Sequence, residues 1–180
     1  MPVHLRFKTL RVEPFQLDGN DDVFVVAGLV GLMRQWPLLL HWSTIWERFK
    51  LALKIAAGRS VFFGIRSGGS LVSTGVLALG YCRTYKVEPE AVVIGTIGTD
   101  PRRRGEGLAT RAIKAAMNAM INRGHTLFYI DTLRGNVAML RSIEKLGFGQ
   151  PVSNDDTHSP LITKNTISAS SPSPVKNKIQ

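Results

Sequence analysis

Ile97-Gly98-Thr99-Asp100-Pro101-Arg102-Arg103-Arg104-Gly105-Glu106-Gly107-Leu108-Ala109 is the stretch from which the fold can be read. A hydrophobic run ends at Pro101 and a basic, glycine-rich loop follows. Leu108, Ala112, Ile113, Ala116, Met117, Met120 and Ile121 then recur at helical spacing, up to a stop at Gly124. Glycines admit backbone shapes closed to other residues, and the first amides of a helix have no partner within it. The helix dipole adds about half a positive charge at the same end. With three arginines beside it, the junction is an anion cradle whose natural guest is a diphosphate. The loop lacks the Lys-Ser/Thr of the nucleoside-triphosphate pattern, and Thr110 stands where the dinucleotide pattern has its last glycine. Asp131 lies at about the distance of the acidic residue in a dinucleotide-binding unit, so that alternative is weakened and stays open.

On either side of the loop the pattern is that of a β-α-β crossover. Ala91–Thr99 has apolar residues on both faces, as a central strand does. Thr126–Asp131 reads as a buried strand and Asn136–Leu146 as a helix ended by Gly147, so the two strands should be parallel neighbours or near-neighbours. Upstream, Val61–Arg66 and Leu71–Leu79 are short strands separated by Gly68-Gly69. Thr44-x-x-Glu47 is a capping box, and the helix it starts carries Ile45, Phe49, Leu53 and Ala56 on one face, ending near Gly58. Asp18–Asp21 supplies turn and cap chemistry before Val23–Met33, which is predicted as a buried helix ahead of Pro37. Val3, Leu5 and Phe7 alternate with His4, Arg6 and Lys8, the pattern of a half-buried strand. One domain over residues 1–150 is expected. The segment 151–180 is weak in signal, with a short strand at Pro160–Thr163 and disorder from about 167.

Composition narrows the partners. The chain has 180 residues, 23 Lys+Arg against 13 Asp+Glu, and a net charge of +10, which calls for an anionic partner. A lone cysteine, Cys82, excludes a disulfide framework and a Cys-rich zinc module, and it is expected as a small buried hydrophobe. His and carboxylate residues show no metal-ligand spacing. The N-terminus shows no apolar signal region and no stretch suits a membrane span, so a cytoplasmic protein is expected, as monomer or homodimer.

These motifs resemble those of the GNAT N-acetyltransferases. The family signature Q/R-x-x-G-x-G/A is met by Arg104-x-x-Gly107-x-Ala109, in register with Pro101; Arg102-x-x-Gly105-x-Gly107 also fits formally but sits two residues too close. The run from Asn136 to Lys145-Leu146-Gly147-Phe148 is similar to the family's second block, about 30 residues downstream. The resemblance implies an α/β (α+β) acyl-CoA N-acyltransferase fold, with a mixed central sheet flanked by helices and splayed between the strands at 91–99 and 126–131. Acetyl-CoA would be the co-substrate, its pantetheine arm in the split. On this reading the backbone of Ile97 and Thr99 meets pantetheine and the oxyanion, and the amides of Gly105, Glu106, Gly107, Leu108 and Ala109 hold the pyrophosphate. Arg102, Arg103 and Arg104 lie near the adenosine phosphates, and Asn136 bonds the cofactor arm. The reaction implied is direct transfer of an acetyl group to a primary amine, on a small molecule or a protein.

The catalytic groups are less legible. Many relatives place a Tyr as general acid where Ile143 stands; Ser142 is its neighbour but points about 100° away on a helix. The strand 91–99 has no ionisable residue, which leaves Glu88, Glu90 and Asp131 as candidate bases. Trp36, Trp42 and Trp46 are expected in core packing, and His41 and His125 as surface or capping residues. The last sheet element, between Gly149 and Thr166, should be either a short hairpin or a strand from a partner chain. The alternative from another class is a non-catalytic basic module that binds RNA or ribosomes and keeps a degenerate acyl-CoA cradle. No RNA-binding motif with interleaved aromatics accompanies the charge.

Overall fold

Among the described residues, the β-branched and aromatic runs pair into one mixed sheet of six strands, flanked by four helices. The structure is a computed structural model and describes residues 4–17, 22–35 and 45–152. In chain order the elements are β1 (His4–Leu10), β2 (Asp22–Ala27), α1 (Gly28–Arg34), α2 (Ile45–Ala56), β3 (Ser60–Ser67), β4 (Ser70–Leu79), β5 (Val92–Thr99), α3 (Leu108–Ile121), β6 (Leu127–Leu133) and α4 (Val137–Lys145). The strand order is β1-β6-β5-β4-β3-β2. Only β5 and β6 run parallel, joined through α3 by the expected crossover.

One face of the sheet carries the main core. Val61, Phe63, Val92, Ile94, Phe128 and Ile130 pack there against the apolar stripe of α3 and against Ile143 and Leu146 of α4. The other face is covered in two parts. Phe24, Val26 and Phe62 meet Leu32 of α1 and Ala52 and Ile55 of α2, while Val93 and Tyr129 lie beneath Tyr85 and Val87 of the 80–91 connection. A trough remains between these two covers.

The N-terminal part of the chain departs from the sequence expectation in several ways. Val23–Met33 is not one helix: residues 22–27 pair with β3, and only Gly28–Arg34 is helical. A continuous apolar run has no periodicity with which to choose, and the open edge of β3 decides it. β1 is covered on both faces rather than half-buried, because Arg6 lies 4.5 Å over the Tyr85 ring and Lys8 reaches Glu88 and Tyr129. β1 pairs antiparallel with β6 along its whole length, and Val152 N–H bonds the Arg6 carbonyl of β1 (2.8 Å); the rest of the element expected between Gly149 and Thr166 lies outside the described residues. The chain after β1 is pinned across α3, where the Asn118 side chain accepts from Phe15 N–H (2.7 Å) and donates to its carbonyl (2.8 Å).

α2 forms as predicted but presents a different face. It buries Ala52 and Ile55, whereas Ile45, Phe49 and Leu53 are exposed, as is Ala56. Trp46 is exposed too, stacked on Phe49 rather than packed in the core. Thr44 of the capping box, Trp36, Pro37, His41 and Trp42, the turn at 18–21 and the segment from 153 onward, with its expected short strand, lie outside the described residues.

Candidate active site

Asp100 sets the shape of the glycine-rich loop. Its N–H bonds the Val72 carbonyl (2.9 Å), and its carboxylate and carbonyl accept from Arg102 N–H and Arg103 N–H (both 2.9 Å), closing the turn Pro101–Arg103. Arg103 then grips Glu106 with a two-pronged contact, Nε to Oε1 at 2.7 Å and Nη2 to Oε2 at 2.6 Å. That guanidinium holds the exposed Glu106 carboxyl below its ordinary pKa. Arg111 Nη1 donates to the Glu106 carbonyl (2.7 Å), tying the loop to the helix behind it. Gly105 and Gly107 take the left-handed φ values of 89° and 75° that turn the chain into α3.

The consequence is a row of open donors. Arg111 N–H bonds the Gly107 carbonyl, the first such bond of α3. The N–H groups of Gly105, Glu106, Gly107, Leu108, Ala109 and Thr110 have no acceptor among the described residues. All of these residues but Glu106 line a groove of about 580 Å³ that runs between the end of β5, the start of α3 and one side of α4.

Of the residues expected at a cofactor, Ile97, Thr99, Arg103, Arg104, Gly105, Gly107, Leu108, Ala109 and Asn136 line this groove. Arg102 and Glu106 do not: Arg102 is exposed on the turn, and the Glu106 side chain serves Arg103. The Asn136 side-chain oxygen caps α4 by accepting from Met139 N–H (3.2 Å). Arg141 and Lys145 also line the groove and were not singled out from sequence. Their spacing from Ala138, one turn and two turns on, is the signal that could have found them. Gly147 ends α4 as expected, and Phe148 after it is buried, its N–H bonded to the Ile143 carbonyl.

A second cavity, of about 520 Å³, occupies the trough on the opposite face, with α2 and the 80–91 connection as walls. The two meet at β5. Pairing of β5 with β6 covers only Val92–Ile94, so the strands part from Gly95 onward. Register with β4 slips at the same place, leaving Thr96 and Ile97 opposite the single residue Gly75. Thr96 sits in the bulge with φ 51°, a strained conformation for a branched residue. Gly95 and Thr96 line the second cavity, while Ile97, Gly98 and Thr99 line the groove. Adjacent residues of one strand thus face the two spaces.

The candidate catalytic groups separate accordingly. Asp131 lines the second cavity beside the parting strands, its Oδ1 3.4 Å from Tyr85 OH and its Oδ2 3.8 Å from His4 Nδ1. Burial, and then the Asp131 charge, pushes the Tyr85 phenol far up, so it stays a neutral donor. Glu88 lines neither space; it bonds Lys8 Nζ (2.6 Å) and Tyr129 OH (2.8 Å). Glu90 is exposed, with its carbonyl 3.1 Å from His125 Nδ1, and it too lies outside both. The Ser142 hydroxyl borders the groove, accepting from Thr110 (3.0 Å) and donating to the Ala138 carbonyl (3.1 Å). Ile143 is buried in the core. Cys82 is only half-buried and lines the second cavity, so it is not a core residue.

The acetyltransferase (GNAT) family model matches residues 29–148, more than half of the chain. The chain belongs to the GNAT acetyltransferase family. Solved structures of the same fold include a GNAT-family protein from Novosphingobium aromaticivorans (19% identity, 82% of this chain and 60% of that one, TM-score 0.50). Another is a GNAT-family acetyltransferase from Colwellia psychrerythraea (19% identity, 83% and 53%, TM-score 0.58). A third is the aminoglycoside acetyltransferase AAC(6')-Iy with a CoA-linked bisubstrate analogue (17% identity, 75% and 95%, TM-score 0.56). This chain therefore spans little more than half of the first two proteins and nearly all of the third. A comparison with curated protein sequences finds no match. Acetyl-CoA is the co-substrate of the family, and neither the family match nor these neighbours support the RNA-binding alternative. Among the described residues, no helix is long and apolar enough to cross a membrane.

Proposed function

We propose that this GNAT-family protein transfers the acetyl group of acetyl-CoA to a primary amine that sits in the second cavity beside Asp131. The observation that carries the reading is the run of six unpaired amides, Gly105 to Thr110, in a groove that meets a second cavity where β5 and β6 part. The donor set suits a pyrophosphate, with N–H groups at a helix start and the cations Arg104, Arg141 and Lys145 on the groove walls. Acetyl-CoA supplies an activated thioester acyl group.

The chain's own residues do the rest. β5 beyond Ile94 has main-chain groups not used by β6, and these align the pantetheine arm and face the negative charge that builds on the acyl oxygen. The Asn136 amide group, its oxygen engaged with the helix, keeps its N–H donors for the same arm. Asp131 takes a proton from the incoming ammonium, directly or through water, and Tyr85 keeps the carboxylate oriented. In the net reaction the amine nitrogen bonds to the acetyl carbon as the carbon–sulfur bond breaks; one amine proton leaves to Asp131 and another ends on the departing sulfur. No side chain is assigned to that last protonation, since Ser142 already donates to the Ala138 carbonyl.

Thermal unfolding tests the first half of the reading. Acetyl-CoA at about 100 times its Kd should stabilise the protein by about 2.7 kcal/mol, and an unchanged Tm at millimolar acetyl-CoA sinks the assignment. For the second half, Asp131→Asn should lower kcat by about 100-fold or more while the acetyl-CoA shift persists.

A further inference from the structure

The charges around the acceptor cavity say more than that an amine binds there. Its described lining contains four cations, Arg48, Lys50 and Lys54 of α2 and Arg83 of the 80–91 connection, against two carboxylates, Glu47 and Asp131. Glu47 is already within 3.6 Å of Lys50. Arg48, Lys54 and Arg83 have no carboxylate partner among the described residues. Arg48 Nε is moreover buried without a hydrogen-bond acceptor among the described residues. An α2 face with this composition reads in sequence as solvated surface, yet Glu47, Lys50, Leu51 and Lys54 follow at i, i+3, i+4 and i+7 and turn together toward the trough.

Asp131 and the cations of α2 sit at different ends, while Arg83 is on the 80–91 connection, whose Tyr85 reaches Asp131. Asp131 is on β6, whereas α2 packs over β3, three strand positions away in the sheet, and over β2 beyond it. At about 4.8 Å per strand this places the backbones roughly 14 Å apart, with side chains reaching in from both sides. A polycation would put its charges against Arg48, Lys54 and Arg83. A molecule with an amine at one end and an anion at the other meets complementary groups at both.

We propose that the acceptor is a small primary amine that itself carries an anionic group, a carboxylate or a phosphate. The amine faces Asp131 and the parting strands; the anion is held by Arg48 and Lys54 of α2, with Arg83 on the other wall of the cavity, and a guanidinium can bind carboxylate or phosphate oxygens in pairs. This rests on the acetyltransferase reading above and narrows it to a substrate class.

The test is CoA release by the whole 180-residue chain with acetyl-CoA and amines that differ in charge: β-alanine and L-aspartate against β-alaninamide, O-phosphoethanolamine against ethanolamine, and spermidine as a polycation. An anionic member should exceed its neutral counterpart in kcat/KM by about tenfold or more, as expected for charge-assisted contacts, and the carboxylate and phosphate arms identify the anion. Lys54→Glu and Arg83→Glu should each raise KM for that amine by about tenfold with KM for acetyl-CoA unchanged. A merely structural role would move both constants or the Tm. Equal or better turnover of the neutral amines or spermidine, or unchanged KM in both variants, overturns the proposal. So does a lack of turnover of every anionic amine by protein that acetyl-CoA stabilises. Protein that acetyl-CoA does not stabilise overturns the acetyltransferase reading as well.

Discussion

Removing Glu88 should destabilise this protein strongly and leave its chemistry almost untouched. Glu88 accepts from Lys8 Nζ at 2.6 Å and from Tyr129 OH at 2.8 Å, and the Lys8 side chain is only 5% exposed. Glu88→Ala therefore strands a buried ammonium and a buried phenol together. Breaking a buried pair by losing one partner costs about 3–5 kcal/mol. Glu88 keeps 24% of its side chain exposed, so water can enter and the low end, about 3 kcal/mol, is expected. In a domain of this size that is a fall in Tm of about 6–12 °C. Glu88→Gln still accepts from both partners and should cost about 1–2 kcal/mol.

The pH dependence has a definite sign. Burial alone would raise the Glu88 pKa, but the hydrogen bonds from Lys8 and Tyr129 outweigh it and the net shift is downward. Burial would likewise lower Lys8, and its bonds to Glu88 and Tyr129 turn the net shift upward. Glu88 thus contributes stability above the ordinary carboxylate value of 4.5 that is lost as pH falls through its depressed folded value. Lys8 contributes below its ordinary 10.5, and that part is lost as pH rises through its raised folded value. Urea unfolding of wild type, Glu88→Ala, Lys8→Met and the double variant, from pH 3 to pH 11, measures all of this. The wild type should show a plateau with losses at both ends, and Glu88→Gln a shallower acid limb. In the Lys8→Met background the cost of Glu88→Ala should shrink by at least about 1 kcal/mol. Equal costs in both backgrounds, or a kcat that falls with Glu88→Gln at a temperature where it is folded, refute the assignment of Glu88 as a tether for β1.

Further outcomes follow from the loop and the bulge. Gly107→Val should remain folded, since a Cβ there first meets Arg111 Nη1 at 3.5 Å, but a branched residue at φ 75° should abolish the acetyl-CoA shift in thermal unfolding. Thr96→Gly removes the strain at φ 51° and should raise the Tm of the ligand-free protein by about 2–4 °C, for about 1 kcal/mol gained. Glu106→Gln weakens the two-pronged contact of Arg103 and should lower acetyl-CoA affinity several-fold through the loop, with acceptor KM unchanged in steady-state kinetics.

The legible part of the fold was the part governed by local signals. Pro101, the loop glycines, the stripe of α3, and the stop of α4 at Gly147 each act within a few residues, and each appears where the sequence puts it. The misread parts depend on distant partners. Residues 22–27 become a strand because β3 lies beside them, and β1 finds β6 across more than a hundred residues of chain. Nothing near Lys8 or Arg6 says that loop 80–91 will cover them. The site divides in the same way. The donor row of the groove follows from one loop and one helix start, whereas the second cavity is assembled from α2, β4, β5, β6 and the 80–91 connection, so Asp131 could be named only as one carboxylate among three. The exposed stripe Ile45–Phe49–Leu53 shows the same limit, since helical spacing identifies an apolar face without saying what it meets.

The backbone donors themselves can be watched directly. In an amide-resolved NMR titration with CoA, the largest shifts should fall on Gly105, Glu106, Gly107, Leu108, Ala109 and Thr110, followed by Ile97 to Thr99 on β5. Saturable binding that leaves those nine resonances in place, or moves chiefly the residues of α2, would contradict the account.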